Sequence, residues 1–178
     1  MNALGNPITM EIIAVGDEIL RGLCREDKAR VISVEFGSLG IEPARITVVP
    51  DDRAVLAGEI AAALVRSDVL IVTGGLGPSV DDVTREAAIE ALGGETEIRH
   101  EVTDAIEARY GILGRPVPDD YGDHAVVPRG AEIIPNAVGV AVGLRIVNGG
   151  KELFLLPGVP AEMREMLRMA VLPRFADR

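Results

Sequence analysis

Aspartates stand where a strand-like run gives way to a helix-like run at three points of this 178-residue sequence: Gly16-Asp17-Glu18, Pro50-Asp51-Asp52 and Asp81-Asp82. A fourth such junction, Pro157-Gly158, is uncharged, and ahead of the last aspartates lie Thr73, Gly74, Gly75 and Gly77. Bare main chain of this kind can turn successive N–H groups toward a phosphate, and a helix that follows points its positive end the same way. Carboxylates beside it suit two tasks: holding Mg²⁺ or another divalent metal against phosphate oxygens, or taking a proton from a nucleophile. If Asp51 and Asp82 meet across one sheet end, they form the catalytic and metal-holding pair. Taken singly, each aspartate reads more often as a helix cap, and the glycine run as a flexible turn capped by Asp82. The loop is neither a Walker A sequence nor a G-x-G-x-x-G fingerprint.

The junctions are positioned by alternating elements. Met10 to Val15, Ile46 to Val49 and Asp68 to Thr73 read as short strands. The third is apolar on both faces, as a strand covered by helices on each side must be. Helices are expected from about Glu26 to Leu39, around Leu56, Ile60, Ala63 and Leu64, from near Val83 through Ala91, and around Val102, Ile106 and Tyr110. Residues 111–128 show little periodicity and several prolines and glycines, so they read as an ordered excursion or lid. Ala131 to Ile134, Val140 to Val147 and Glu152 to Leu156 read as strands, the last two joined as a hairpin across Asn148-Gly149-Gly150. Pro160 opens a final helix whose inner face carries Met163, Met166, Leu167, Ala170 and Val171.

This alternation closes as a three-layer α/β/α domain, with a mostly parallel sheet and an antiparallel edge hairpin. A single domain over 10–178 is expected behind a disordered lead over 1–9. Ligands of such sheets sit outside the carboxyl ends of the strands, so the four junctions should share one rim.

Composition removes several functions. A net charge of −10 and a pI near 4.7 oppose nucleic acid and anionic membrane surfaces. With no Trp, two Tyr and three Phe there is no aromatic platform for stacking bases. A lone cysteine, Cys24, rules out an internal disulfide or a multi-cysteine metal site, fits a cytoplasmic setting, and reads as a small buried hydrophobe. No signal pattern or membrane-length apolar run is evident. His100 reads as a surface residue, His124 has no visible metal partner, and the methionines from 163 to 169 fit core packing.

Three motifs in order, VGDEILRG, TGGLGPSVDDVTREA and LLPGVPAEM, resemble the molybdopterin-binding (MoaB/MogA-like) family. The likeness is greatest to the amino-terminal domain of CinA proteins and runs from Met10 to Leu172. It implies the molybdopterin-binding-domain fold and carries functional residues over by motif. Asp51 and Asp82 match the catalytic aspartates of the adenylyltransferase branch, Gly74, Gly75 and Gly77 the pocket-lining glycines, and Glu18 the acidic residue of the first-strand motif. Thr73, Asp17 and Gly158 complete the expected nucleotide-binding rim. The CinA-like branch implies metal-dependent hydrolysis of ADP-ribose or a related dinucleotide pyrophosphate, and domains of this fold commonly form dimers or trimers. Two alternatives stand beside it: an adenylyltransferase that binds molybdopterin, and a non-catalytic module that holds a nucleotide or pterin. The sequence departs from the CinA pattern at NAVGVAVG, residues 136–143, where Val140 replaces a Thr and Val142 a Pro. It departs again at Glu26-Asp27-Lys28 and at Asp123-His124-Ala125.

Overall fold

The computed structural model describes residues 6–77, 79, 81–118 and 121–176. Strand β1 (Met10–Val15) is buried along its whole length and side chains alternate between two cores: Met10 and Ile12 face one, Ile13 and Val15 the other. Strands β3 (Val69–Thr73) and β8 (Lys151–Leu156) repeat that alternation, with Leu70, Val72, Leu153 and Leu155 on one side and Val69, Ile71, Phe154 and Leu156 on the other. Strands buried on both faces need helices on both faces. Helices α3 (Arg53–Arg66), α4 (Thr84–Ala91) and α5 (His100–Leu113) cover the first core. Helix α2 (Lys28–Gly37) and α6 (Pro160–Met166) cover the second, where Phe175 packs 5.2 Å from Phe36 and 6.2 Å from Phe154, ring centre to ring centre.

With β2 (Pro43–Val49), β6 (Glu132–Ile134) and β7 (Gly143–Asn148), the sheet runs β2-β1-β3-β8-β7-β6. Strands β2, β1, β3 and β8 are mutually parallel, while β7 pairs antiparallel with both β8 and β6. The expected α/β/α architecture and antiparallel edge are therefore observed, and β7 and β8 turn across the Asn148–Lys151 pair. Register aligns the carboxyl ends: Val15 is opposite Val49, Ala14 opposite Thr73, and Thr73 opposite Leu156.

Several local expectations change. A one-turn helix α1 (Asp17–Leu20) follows β1 directly. The excursion after residue 110 is partly regular: α5 continues to Leu113, a 3₁₀ turn spans Tyr121–Ala125, and β5 (Val126–Pro128) pairs antiparallel with β4 (Thr96–Ile98) in a separate two-stranded sheet. Asp119 and Asp120 of that stretch lie outside the described residues. β7 starts at Gly143 and not at Val140, because the Asn136 side chain draws Ala141 out of the ladder by donating to its carbonyl. The final helix widens into a π-helical turn at Leu167–Val171, which leaves Met169 72% exposed while Met163 and Met166 are buried. Cys24 is exposed, on the segment between α1 and α2. Of the lead, residues 1–5 lie outside the described residues; Thr9 is tied down, its N–H donating to the Asp68 carboxylate at 2.9 Å and its carbonyl accepting from Asp68 and Val69. Among the described residues no helix is long and apolar enough to cross a membrane.

Candidate functional site

Four parallel strands ending together bring their following loops together, and main-chain bonds stitch the loops edge to edge. Gly16 N–H donates to the Val49 carbonyl, and Gly74 N–H to the Leu156 carbonyl. The Thr73 hydroxyl, fully buried, donates to the Pro157 carbonyl at 3.1 Å. Thr73, expected among the nucleotide-binding residues, therefore joins two rim loops with its side chain buried between them. Its hydroxyl is committed 84 positions along the chain.

Asp17 and Asp51 hold one another's main chain. Asp17 N–H donates to Asp51 Oδ2 at 2.8 Å, and Asp51 N–H donates to Asp17 Oδ1 at 3.3 Å. Asp17 also pairs with Arg21 one turn on, in an exposed position. The neighbour of Asp51, Asp52, takes the ordinary capping role, accepting from Val55 N–H at the start of α3, so Asp51 is left for the rim.

The glycine loop is shaped by contacts that leave no room for side chains. Gly74 adopts φ +107°, and a Cβ there would lie 2.4 Å from the Val15 carbonyl oxygen. Gly75 adopts φ +58°, and a Cβ there would lie 2.7 Å from Thr84 Oγ1 and 3.7 Å from Asp51 Oδ1. Both backbone conformations belong to glycine by preference. Thr84, fully buried at the start of α4, closes the loop: its hydroxyl donates to the Gly74 carbonyl at 2.7 Å and its N–H to the Gly75 carbonyl. Sequence reading missed Thr84 as a site residue. Its signal was its place in the TGGLGPSVDDVTREA motif, two residues after Asp82 at a helix start.

Asp82 does not cap α4. Residue Val83 occupies the cap position without a side-chain bond, and Asp82 turns back to accept from Ser79 N–H at 2.9 Å, its carboxylate against Gly77. Asp82, read singly as a helix cap, instead holds the turn of the glycine loop itself. Pro78 and Val80 lie outside the described residues.

These positions are electrostatically coupled. Burial raises the Asp51 carboxyl above its usual value; the Asp17 N–H opposes this, and the nearby charges of Glu18, Asp17 and Asp82 push it higher again. The expected acidic residues thus converge on one rim, with Glu18 exposed and its carboxylate folded over Gly16. Gly158 also reaches the rim: a Cβ there would lie 3.2 Å from the Gly74 Cα.

The donor chemistry fits a hard divalent cation, which takes oxygen ligands and commonly shares them between one or two carboxylates and a phosphate. Among the described residues no group of three His, Cys, Asp or Glu side chains is placed to hold a metal. A cation at Asp51 and Asp82 would therefore be completed by ligand and water oxygens, in place of an all-protein cage. His100 is exposed on α5, and His124 lies against the buried Arg85 guanidinium, where its ring contributes to packing below the loop. A separate groove of about 650 Å³, lined by Pro135, Ala137, Met166, Met169, Ala170 and Pro173 among others, shares none of the acidic residues.

Residues 11–177 match the family model described as a probable molybdopterin-binding domain. A putative competence-damage inducible protein of Caldicellulosiruptor saccharolyticus is 43% identical over 163 residues, covering 92% of this chain and 40% of the relative. A CinA-like protein of Chlorobium limicola is 36% identical over 172 residues, covering 94% and 40%. The chain spans about 40% of the length of these bacterial relatives. Among solved structures, a CinA protein of unknown function from Thermoplasma acidophilum is 32% identical, with a TM-score of 0.85 over 96% of this chain and 99% of that one. The molybdopterin biosynthesis enzyme MoaB of Thermus thermophilus, at 22% identity and a TM-score of 0.61 over 96% and 98%, shares the fold.

Proposed function

Because this chain belongs to the family of probable molybdopterin-binding domains, among its CinA-like members, we propose that it binds an adenine dinucleotide at the rim and hydrolyses its pyrophosphate. The substrate class is ADP-ribose or a close relative. The observation that carries this reading is the reach of Asp51 across the end of β1 to Gly75, beside Asp17 and Asp82. A phosphate-binding loop and a proton-accepting carboxylate are then adjacent, as attack of water on a phosphorus requires.

In this mechanism Gly75 and Gly77 turn main-chain N–H groups to the pyrophosphate, helped by the amino-terminal end of α4, while Gly74, its own N–H committed to the Leu156 carbonyl, gives the loop its turn. Asp51, its carboxyl raised by burial and neighbouring charge, takes the proton from the attacking water. Asp17 fixes the Asp51 loop through the reciprocal N–H bonds. Asp82 stands on the other flank of the glycine loop, held by Ser79. A divalent cation held by Asp51 and Asp82 would neutralise phosphate charge and make coordinated water more acidic. Water adds to one phosphorus, the bridging P–O bond breaks, and AMP and ribose 5-phosphate leave.

The test is incubation with ADP-ribose and a series of divalent ions, following AMP release. The expected outcome is metal-dependent turnover that disappears in an Asp51→Ala/Asp82→Ala double variant; turnover that persists in that variant refutes the assignment. The family's description favours a pterin ligand, and the second reading is that such a ligand is adenylylated from ATP. Pterin fluorescence in the purified protein, together with ATP-dependent adenylylation and no AMP release from ADP-ribose, would select it. Tight binding without product under any metal would instead select a non-catalytic module.

A further inference from the structure

The sheet brings a fifth loop to the same rim. β6 runs antiparallel to β7, and β7 antiparallel to β8, so the carboxyl end of β6 points the way of β8. Residues 135–142 leave from that end. The loop has no regular structure of its own, yet one side chain organises it. Asn136 Oδ1 accepts from Val138 N–H at 3.0 Å and from Gly139 N–H at 2.7 Å, while Asn136 Nδ2 donates to the Ala141 carbonyl at 2.8 Å and to Glu162 Oε2 at 2.5 Å. A side-chain amide has two acceptor and two donor positions, and all four are spent here.

Glu162 comes from the first turn of α6 and is 8% exposed. It lies so close to the loop that a Cβ on Gly139 would fall 1.9 to 2.3 Å from its carboxylate atoms. Arg109 of α5 donates to the Val138 carbonyl from the other side. The far end of the loop lies beside the glycine loop: Val140 and Ala141 line one small space together with Leu76, Gly77, Ile106 and His124. The glycine loop is thus braced by Thr84 on one flank and by 136–142 on the other.

We propose that Asn136 and Glu162 are positioning residues for the rim: together they lock the 136–142 loop against the glycine loop, and loosening them weakens substrate binding without slowing the chemical step. The inference rests on the reading of the rim as a pyrophosphate site. Neither side chain touches the acidic pair, so the proton-accepting group is unaltered when they are changed. What changes is how long the glycine main chain keeps one shape, which is a cost met on binding.

The test is steady-state kinetics with ADP-ribose and Mg²⁺ on the wild type, Asn136→Asp, Glu162→Gln and the Asn136→Asp/Glu162→Gln double variant, with amide hydrogen exchange at Val138 and Gly139. Asn136→Asp keeps both acceptor bonds but sets a carboxylate against the Glu162 carboxylate and the Ala141 carbonyl. It should raise KM about tenfold with kcat within about threefold of wild type, and speed exchange at both amides. In the double variant the side-chain amide introduced by Glu162→Gln can donate to the new carboxylate on the loop, and KM should return to within about threefold of wild type. If Asn136→Asp does not fold, Glu162→Gln alone, which keeps bulk and shape, should still raise KM by about threefold. Faster exchange with an unchanged KM, or a drop in kcat at unchanged KM, overturns the positioning role and leaves the pyrophosphate reading standing. A wild type that neither binds nor cleaves ADP-ribose overturns that reading and the inference with it.

Discussion

Asp51 carries two jobs at once, one for the main chain and one for the chemistry, and substitution can separate them. Asp51→Asn keeps an oxygen for the Asp17 N–H but removes the charge. Turnover of ADP-ribose should fall by at least about 100-fold, measured as AMP release. Stability should move the other way. The Asp51 carboxyl is raised in the folded protein, so whatever it contributes is fully present below its unfolded value and is lost as pH rises through the folded one. At pH 7 the ionised group is therefore a burden, and Asp51→Asn should melt no lower than wild type, the gap closing as pH falls into the carboxylate range. A clear loss of melting temperature at pH 7 would contradict this. Asp51 and Asp82 were legible in the sequence because strand-to-helix junctions name the rim. Thr84, Asn136 and Glu162 were not, because their partners lie 10 and 26 positions away and side-chain direction is not written in spacing.

Element by element, the best-read segments were those where one period decides. β1 was placed to the residue because its run is apolar apart from Glu11 and Gly16 stops it. Weakly patterned pieces were lost: Thr96–Ile98 is a three-residue strand whose pairing with Val126–Pro128 is its only justification, and the π turn at Leu167–Val171 has no sequence signature. The glycine loop offers a prediction at this scale. Gly75→Ala puts a methyl against Thr84 Oγ1 in a left-handed conformation, and should cost about 1–3 kcal/mol with loss of nucleotide binding. Thr84→Val, similar in shape, strands the Gly74 carbonyl and should cost about 1–3 kcal/mol. Thermal melts check both, since about 1 kcal/mol moves the midpoint of a domain this size by roughly 2–4 °C.

At the scale of the whole molecule, two cores share one sheet, and the rim depends on both. Ile71 is fully buried at the centre of β3, on the face covered by α2 and α6. Ile71→Ala should cost about 2–5 kcal/mol in denaturant unfolding while leaving KM for any residual folded enzyme near wild type, because it empties the core without touching the loops. The layer order was readable from alternation alone. What alternation did not carry was the convergence of β6 on the same rim, which follows only from the strand order. One further consequence belongs to Gly158, which meets Gly74 backbone to backbone. Along that side the rim is walled by peptide groups, and a methyl there acts as a shim that spreads the wall. Choice of ligand must then be written on the remaining walls, in the segments after β1 and β2, where carboxylates reach the rim.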